Sequence, residues 1–342
     1  MAKACFFDFY GVRVKVNADK DDLADKLIFD FKYFSSEPCV PSVSIEIFSA
    51  APAPCPLRKR RPDMRRDNFL RYSYKDTCFV DYNGRASAIY DFKQEKGSIW
   101  GLEEWLVHEV AYLLIHSRVG ELLDSKGLHR VHSLGLTMGD QAILLLLPQA
   151  AGKTTIGLAL LGHNGIGLLS DDTPLINRKG KVLPFPARIG VTQDHKLDIP
   201  QEFLRSFRRQ KYGNKTLVDI RYFADKVCRC DAPAKIILLG KRVEAEYSAV
   251  RKSSKIKAYR AFFINCVVGI GLPQIREYFI RFNLKDLYSK LCIAASRLSA
   301  SHEIIRKSKI YAISLGSNRK KNEECLLEFL RREITHIFPE AE

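Results

Sequence analysis

The chain has 342 residues, of which 46% are hydrophobic and 27% charged. It is too long for most single cores and too apolar for a disordered chain, so it is expected to form two domains, or one domain with large additions. Lys and Arg (55) exceed Asp and Glu (39) by 16, an excess that attracts polyanions without choosing among nucleotides, nucleic acid, anionic lipid and acidic peptide.

In chain order, "CFFDFYGVRVKV" and "SVSIEIFS" read as strands, and "DKDDLADKLIFDFKYF" between them has helical apolar spacing. Residues 51–67 combine proline with a charge run and read as a solvated loop. "FLRYSYKDTCFVDYN", "RASAIYDF" and "GSIWG" continue as antiparallel strands. Residues 102–127 then form a strong helix, acidic in its first turn and closed by Gly127. His108 and His116 lie on or near its apolar face. Both are expected to be packed rather than bound to metal, because no third ligand is spaced to join them.

A hairpin follows, "HRVHSLGLT" turning at 138–140 into "QAILLLLP", whose unbroken apolar run suits a central strand covered on both faces. Further on come a hairpin turning at Lys179–Gly180, a buried strand "AKIILLGKR", two helical stretches, and a strand, turn and helix at the end. The nine cysteines are scattered. Only Cys228 and Cys230 are close, and ordinary reduced thiols are expected. The start lacks the apolar core of a signal peptide, and the longest apolar tract, Ala261–Leu272, is too short to span a bilayer. A cytoplasmic protein is the expectation.

Two tracts carry chemistry. A phosphate loop needs glycine, four free positions, then Gly-Lys-Ser/Thr. Here the window is Leu147-Pro148-Gln149-Ala150-Ala151-Gly152-Lys153-Thr154, followed by Thr155. Its second half is intact and its opening glycine is absent. A buried strand before the window and the short helix "TTIGLALLG" after it would gather backbone N–H groups and the helix dipole around one point. Gly152 admits close approach, Lys153 brings a charge to the outer phosphates, and Thr154 offers a hydroxyl to Mg2+. The second tract, "GIGLLSDD", is a strand ending in Asp171 and Asp172. Adjacent carboxylates repel each other, and a cation or a proton-transfer task makes sense of them. If this strand neighbours the one before the loop, both carboxylates come near the phosphates, one to hold Mg2+ and one to accept a proton.

The run Leu128–Ile176 resembles the core of the HPr kinase/phosphorylase family and its relatives: a histidine-bearing strand, a hairpin into a phosphate loop, a short helix, a glycine turn and a strand ending in Asp-Asp. The resemblance implies an α/β fold, with a P-loop core over 126–342 built on a mixed sheet flanked by helices. An α+β region over 1–125 would precede it, made of strands and the long helix. It implies transfer of the γ-phosphoryl group of ATP to a hydroxyl of a peptide, a protein or a small molecule, with Mg2+. Residues 148–155 would cradle the nucleotide, with Lys153 on the phosphates and Thr154 on the metal. Asp171 would be the base, Asp172 a metal ligand and His132 the group that orients the base, with exchange of the two aspartate roles left open.

The sequence departs from the family in the loop, where the family often has serine in place of Gln149, and further downstream. Glycine is missing at Leu147 and Ala150, where Leu147 would fill space under the loop and Ala150 would be strained by a positive φ. The family's downstream acidic segment is echoed only faintly around Glu277. Arg188 could reach a phosphate or an acidic substrate, but an ordinary surface arginine is the expectation. The rival reading is a nucleotide-binding or interaction module with little or no catalysis. Nucleic-acid binding has no recognition motif to support it, and a homo-oligomer is left open.

Overall fold

The structure is a computed structural model, and it describes residues 3–57, 59–149, 151–192, 199–208, 214–273, 276–281 and 283–335. The chain divides into two units. One comprises residues 1–123, 190–222 and 273–288, the other 124–189, 223–272 and 289–342. The sequence reading had left 190–222 and 273–288 with the later region; in the structure they cluster with the first unit.

The first unit holds an eight-stranded sheet. Its strands are β1 (Lys3–Phe9), β2 (Val12–Ala18), β3 (Val43–Phe48), β4 (Met64–Arg66), β5 (Phe69–Tyr74), β6 (Thr77–Asp81), β7 (Ala86–Asp91) and β8 (Lys96–Gly101), in the order β1-β2-β3-β8-β7-β6-β5-β4. "CFFDFYGVRVKV" is not one strand but a hairpin, because Tyr10 and Gly11 take positive φ and turn the chain. Helix α1 (Asp21–Asp30) follows β2, and the long α2 spans Glu104–Ser125. The two α2 histidines are packed, as expected. His108 bonds Asp30 at 2.8 Å, and His116 lies 5.2 Å from the Phe31 ring. The segment 273–288 is held in this unit by buried arginines that need acceptors. Arg118 donates to the Tyr278 carbonyl at 3.0 Å and Arg71 to that of Ile280 at 2.6 Å. A three-stranded sheet, β15-β17-β16 (Ile189–Thr192, Lys215–Val218, Leu204–Phe207), uses the other late segment.

The second unit carries the loop. Its short outer strands are β9 (His129–Arg130), β13 (Leu175–Ile176) and β14 (Lys181–Leu183). Its core strands are β10 (Leu134–Met138), β11 (Gln141–Leu146), β12 (Ile166–Ser170), β18 (Ala232–Arg242) and β20 (Lys309–Leu315), with β19 (Ala249–Lys252) beside β20. The sheet runs β12-β10-β11-β18-β14-β13-β9, with β20 on β18. Strand β11 is parallel to β18 and β18 to β20, whereas β10 is antiparallel to both of its neighbours, so the sheet is mixed. The apolar run read as a central strand is one, with Ala142–Leu147 buried throughout. Helices α3 (Lys153–Leu161), α4 (Lys255–Phe262) and α6 (Arg319–Thr335) follow, with α5 (Leu284–Lys307) belonging to this unit from Ser289 onward, and a π-helical turn, Phe263–Val268, extends α4. Among the described residues no helix is long and apolar enough to cross a membrane.

A buried charge cluster ties this unit together. Both carboxylate oxygens of Asp124 accept from Arg297, at 3.0 and 2.5 Å, and Oδ1 also meets His129 Nδ1 at 2.8 Å. Since the carboxylate only accepts, Nδ1 carries the proton, and Nε2 is left to accept from Ser296 Oγ at 2.9 Å. Arg297 also donates to the carbonyls of Cys266 and Val267, fixing the π-helical turn. Burial alone would raise the Asp124 carboxyl, but the Arg297 charge, joined by the hydrogen bonds from His129 and Arg297, holds it below the usual range. Replacing Asp124 with Asn strands the buried guanidinium and should cost about 3–5 kcal/mol in urea unfolding at neutral pH. A depressed folded-state pKa stabilises fully above the unfolded carboxyl's pKa of about 4, and that contribution is lost as pH falls through the folded value. The acid-side loss should therefore be smaller in Asp124→Asn than in the parent.

Candidate functional site

The loop begins where β11 must stop, because Pro148 has no N–H to continue the ladder. Leu147, where the loop pattern asks for glycine, is 2% exposed and lies against Gly240 of the neighbouring β18. A Cβ on Gly240 would meet the Leu147 side chain, with Cγ 2.8 Å away. The glycine missing from the loop is thus matched by a glycine in the adjacent strand, and the large side chain points down into the sheet, as the sequence reading expected. Pro148 and Gln149 are exposed, and Ala151 is buried with its N–H on the Pro148 carbonyl at 3.2 Å. Ala150, and with it the question of strain there, lies outside the described residues. Gly152 caps α3 at φ 91°, the left-handed region that only glycine enters without strain, and its carbonyl accepts from Ile156 N. The first turn of α3 leaves backbone N–H groups without helical partners, at the positive end of the helix dipole.

The aspartate strand does not directly neighbour the loop strand, the condition on which the sequence reading brought the carboxylates to the loop; β10 lies between β12 and β11. Because β10 is antiparallel to both, β11 and β12 run the same way and end at the same edge of the sheet. The carboxylates therefore still meet the loop. Thr154 Oγ1 donates to Asp171 Oδ2 at 3.0 Å, and Lys153 Nζ donates to Asp172 Oδ1 in a short ion pair. His132 Nε2 lies 3.1 Å from the same Asp172 oxygen. Lys153 is 8% and His132 6% exposed, whereas the Asp172 side chain keeps 48% of its surface. Desolvation acts to raise the Asp172 carboxyl, but Lys153 and then His132 overcome it and hold it well below the ordinary carboxylate range. Thr155 is half-buried on the same turn of α3.

His132 was expected on a strand and sits instead in the bend between β9 and β10. Backbone bonds hold it there: Val131 N to the Pro174 carbonyl (3.0 Å), Ser133 N to that of Asp172 (3.2 Å), and His132 N to that of Asn265 (3.0 Å). Its ring lies directly on Gly271, at φ 88°, where any Cβ would run into the imidazole. Gly240, Asn265 and Gly271 escaped the sequence reading. Only Gly240 had a local sign, an isolated glycine in a strand, which marks close approach. Of the peripheral candidates, Arg188 is half-buried rather than exposed, and Glu277 is buried in the first unit. A polar cavity of about 250 Å3 in that unit includes Asp67, Arg85 and Trp105. Its Arg85 is already bound through two bonds to Glu103, and it offers no paired carboxylates.

The donor set suits a hard cation. Among the described residues no group of three or more His, Cys, Asp or Glu could hold a metal by itself. A hydroxyl and a carboxylate in contact, Thr154 and Asp171, are the small oxygen set that Mg2+ accepts when phosphates and water supply the rest.

The fit of Leu147 to Gly240 can be tested by a double-mutant cycle. Gly240→Ala should destabilise by about 1–3 kcal/mol through overpacking. In a Leu147→Ala background the same change should cost much less, whereas additive effects in thermal unfolding would contradict the contact.

No family model matches the chain, and no curated protein matches it. Among solved structures it is similar to the HPr(Ser) kinase/phosphatase from Coxiella burnetii, at 11% identity and a TM-score of 0.28, over 59% of this chain and 97% of that one. A likeness at that score is too slight to bear on fold or activity.

Proposed function

We propose that the chain is an ATP- and Mg2+-dependent kinase related to the HPr kinases, which moves a γ-phosphoryl group to a hydroxyl of a peptide, protein or small molecule. One observation carries this reading: a glycine-capped helix bearing Lys153 and Thr154, and a strand ending in Asp171 and Asp172, converge at one edge of one sheet with side chains in contact. Phosphoryl transfer asks the protein mainly for positioning and charge, and these are the groups it uses. The reading places the enzyme in the cytoplasm, where its cysteines stay reduced.

Within it the two aspartates exchange the roles first given to them. Asp171, bonded to the Thr154 hydroxyl, joins that hydroxyl in holding Mg2+, which when bound neutralises charge on the phosphates. Asp172, backed by His132, takes the proton of the acceptor hydroxyl as its oxygen bonds to the γ-phosphorus and the bridge to the β-phosphate breaks. Without nucleotide, Lys153 is spent on Asp172. When phosphates draw Lys153 away, Asp172 loses its strongest counter-charge and becomes more basic, so proton acceptance is coupled to loading of the loop.

Labelled ATP and a cell extract, or a panel of serine peptides, test the reading. Transfer to an acceptor should fall by about 10²–10⁴-fold in Asp172→Asn while Mg·ATP affinity is kept. Lys153→Ala should weaken nucleotide binding itself. Asp171→Asn should raise the Mg2+ concentration needed. Tight nucleotide binding with no transfer to any acceptor would instead favour a binding module.

A further inference from the structure

We infer, on the kinase reading above, that Arg242 is a second phosphate-binding cation of this site, reaching the nucleotide's phosphates beside Lys153. Strand β18 outlasts its partner. Pairing with β11 ends at Leu146–Leu239, yet β18 continues through Gly240, Lys241 and Arg242, alongside the start of the loop. Alternation along a strand sends Gly240 and Arg242 to the same face. Two contacts agree with that: Leu147 rests on Gly240, and Arg242 stands over Gly152, with Nη1 3.7 Å from the place a Cβ on Gly152 would take. Apart from Gly152 and its chain neighbours, no other described atom lies within 4 Å of that place.

Arg242 is exposed, and its side chain makes no hydrogen bond or ion pair with the described residues. This sets it apart from Arg118, Arg221, Arg281 and Arg297, each of which is held by carboxylates. An unengaged guanidinium over the left-handed glycine of a phosphate loop can turn its fork of N–H donors to phosphate oxygens without first breaking a bond. Lys153, in contrast, must leave Asp172. A planar fork also grips two oxygens at once.

The test is equilibrium titration with Mg·ATP, with steady-state kinetics on whichever acceptor the parent phosphorylates, for the parent, Arg242→Ala, Arg242→Lys and Lys153→Ala. Circular dichroism checks that each variant is folded. Arg242→Ala should bind Mg·ATP about 10–100-fold more weakly, the loss that one charged hydrogen-bonding partner gives. Arg242→Lys should recover part of that loss, because charge returns without the fork, whereas a residue with no phosphate contact would show no such ranking. If the parent and Lys153→Ala differ but Arg242→Ala binds like the parent, the inference fails and the kinase reading stands. If the parent binds no Mg·ATP, both fall together.

Discussion

The site depends on β11 and β12 running the same way. Strand β10 runs opposite to both β11 and β12 and lies between them, so the two strands that carry functional termini point the same way. With β12 antiparallel to β11, as a short hairpin joining the two directly would make it, the aspartates would end at the far edge from the loop. The turn at 138–140 is therefore a constraint on chemistry as well as on folding. Gly139, at φ 59°, and Gly165, at φ 79°, let the chain reverse at that end and return Ile166–Ser170 beside β10.

Once the ends are aligned, electrostatics shapes what they do. Two neighbouring carboxylates would raise each other's pKa if left together. Here they are separated by assignment, Asp171 to a hydroxyl and Asp172 to a lysine and a histidine. Lys153 is nearly out of water and would be costly to bury without its counter-charge. The same pairing occupies the cation that, on the kinase reading, phosphates would need. On the kinase reading, nucleotide binding would be an exchange of partners, and the half-exposed Asp172 would be the group released to solvent and acceptor.

Much of the fold could be read locally. Helices α2, α3 and α6, strand β11 and the hairpin at Gly180 follow from periodicity, caps and turn residues, and each forms within a few residues of where the pattern predicts it. The Gly-Lys-Thr and Asp-Asp pairs were legible because their side chains have few other reasons to stand together. What was not legible is what depends on contacts distant in sequence. Nothing in "ILLGKR" says that its glycine receives Leu147, and nothing near His132 says that Gly271 floors its ring. The insertion of β10 between the two key strands is likewise a sheet-order fact without a local signature. The same holds for 273–288, which joins the first unit because carbonyls there satisfy Arg71 and Arg118, arginines that look like any others in the sequence.

The central claim is the exchange of Lys153 from carboxylate to phosphate. A crystal structure with Mg2+ and a non-hydrolysable ATP analogue tests it directly. The account predicts triphosphate at the Gly152–Thr154 turn, Lys153 Nζ on its oxygens and no longer on Asp172, and the metal beside Thr154 and Asp171. An analogue bound elsewhere, or Lys153 still paired with Asp172 while the loop is loaded, would contradict it.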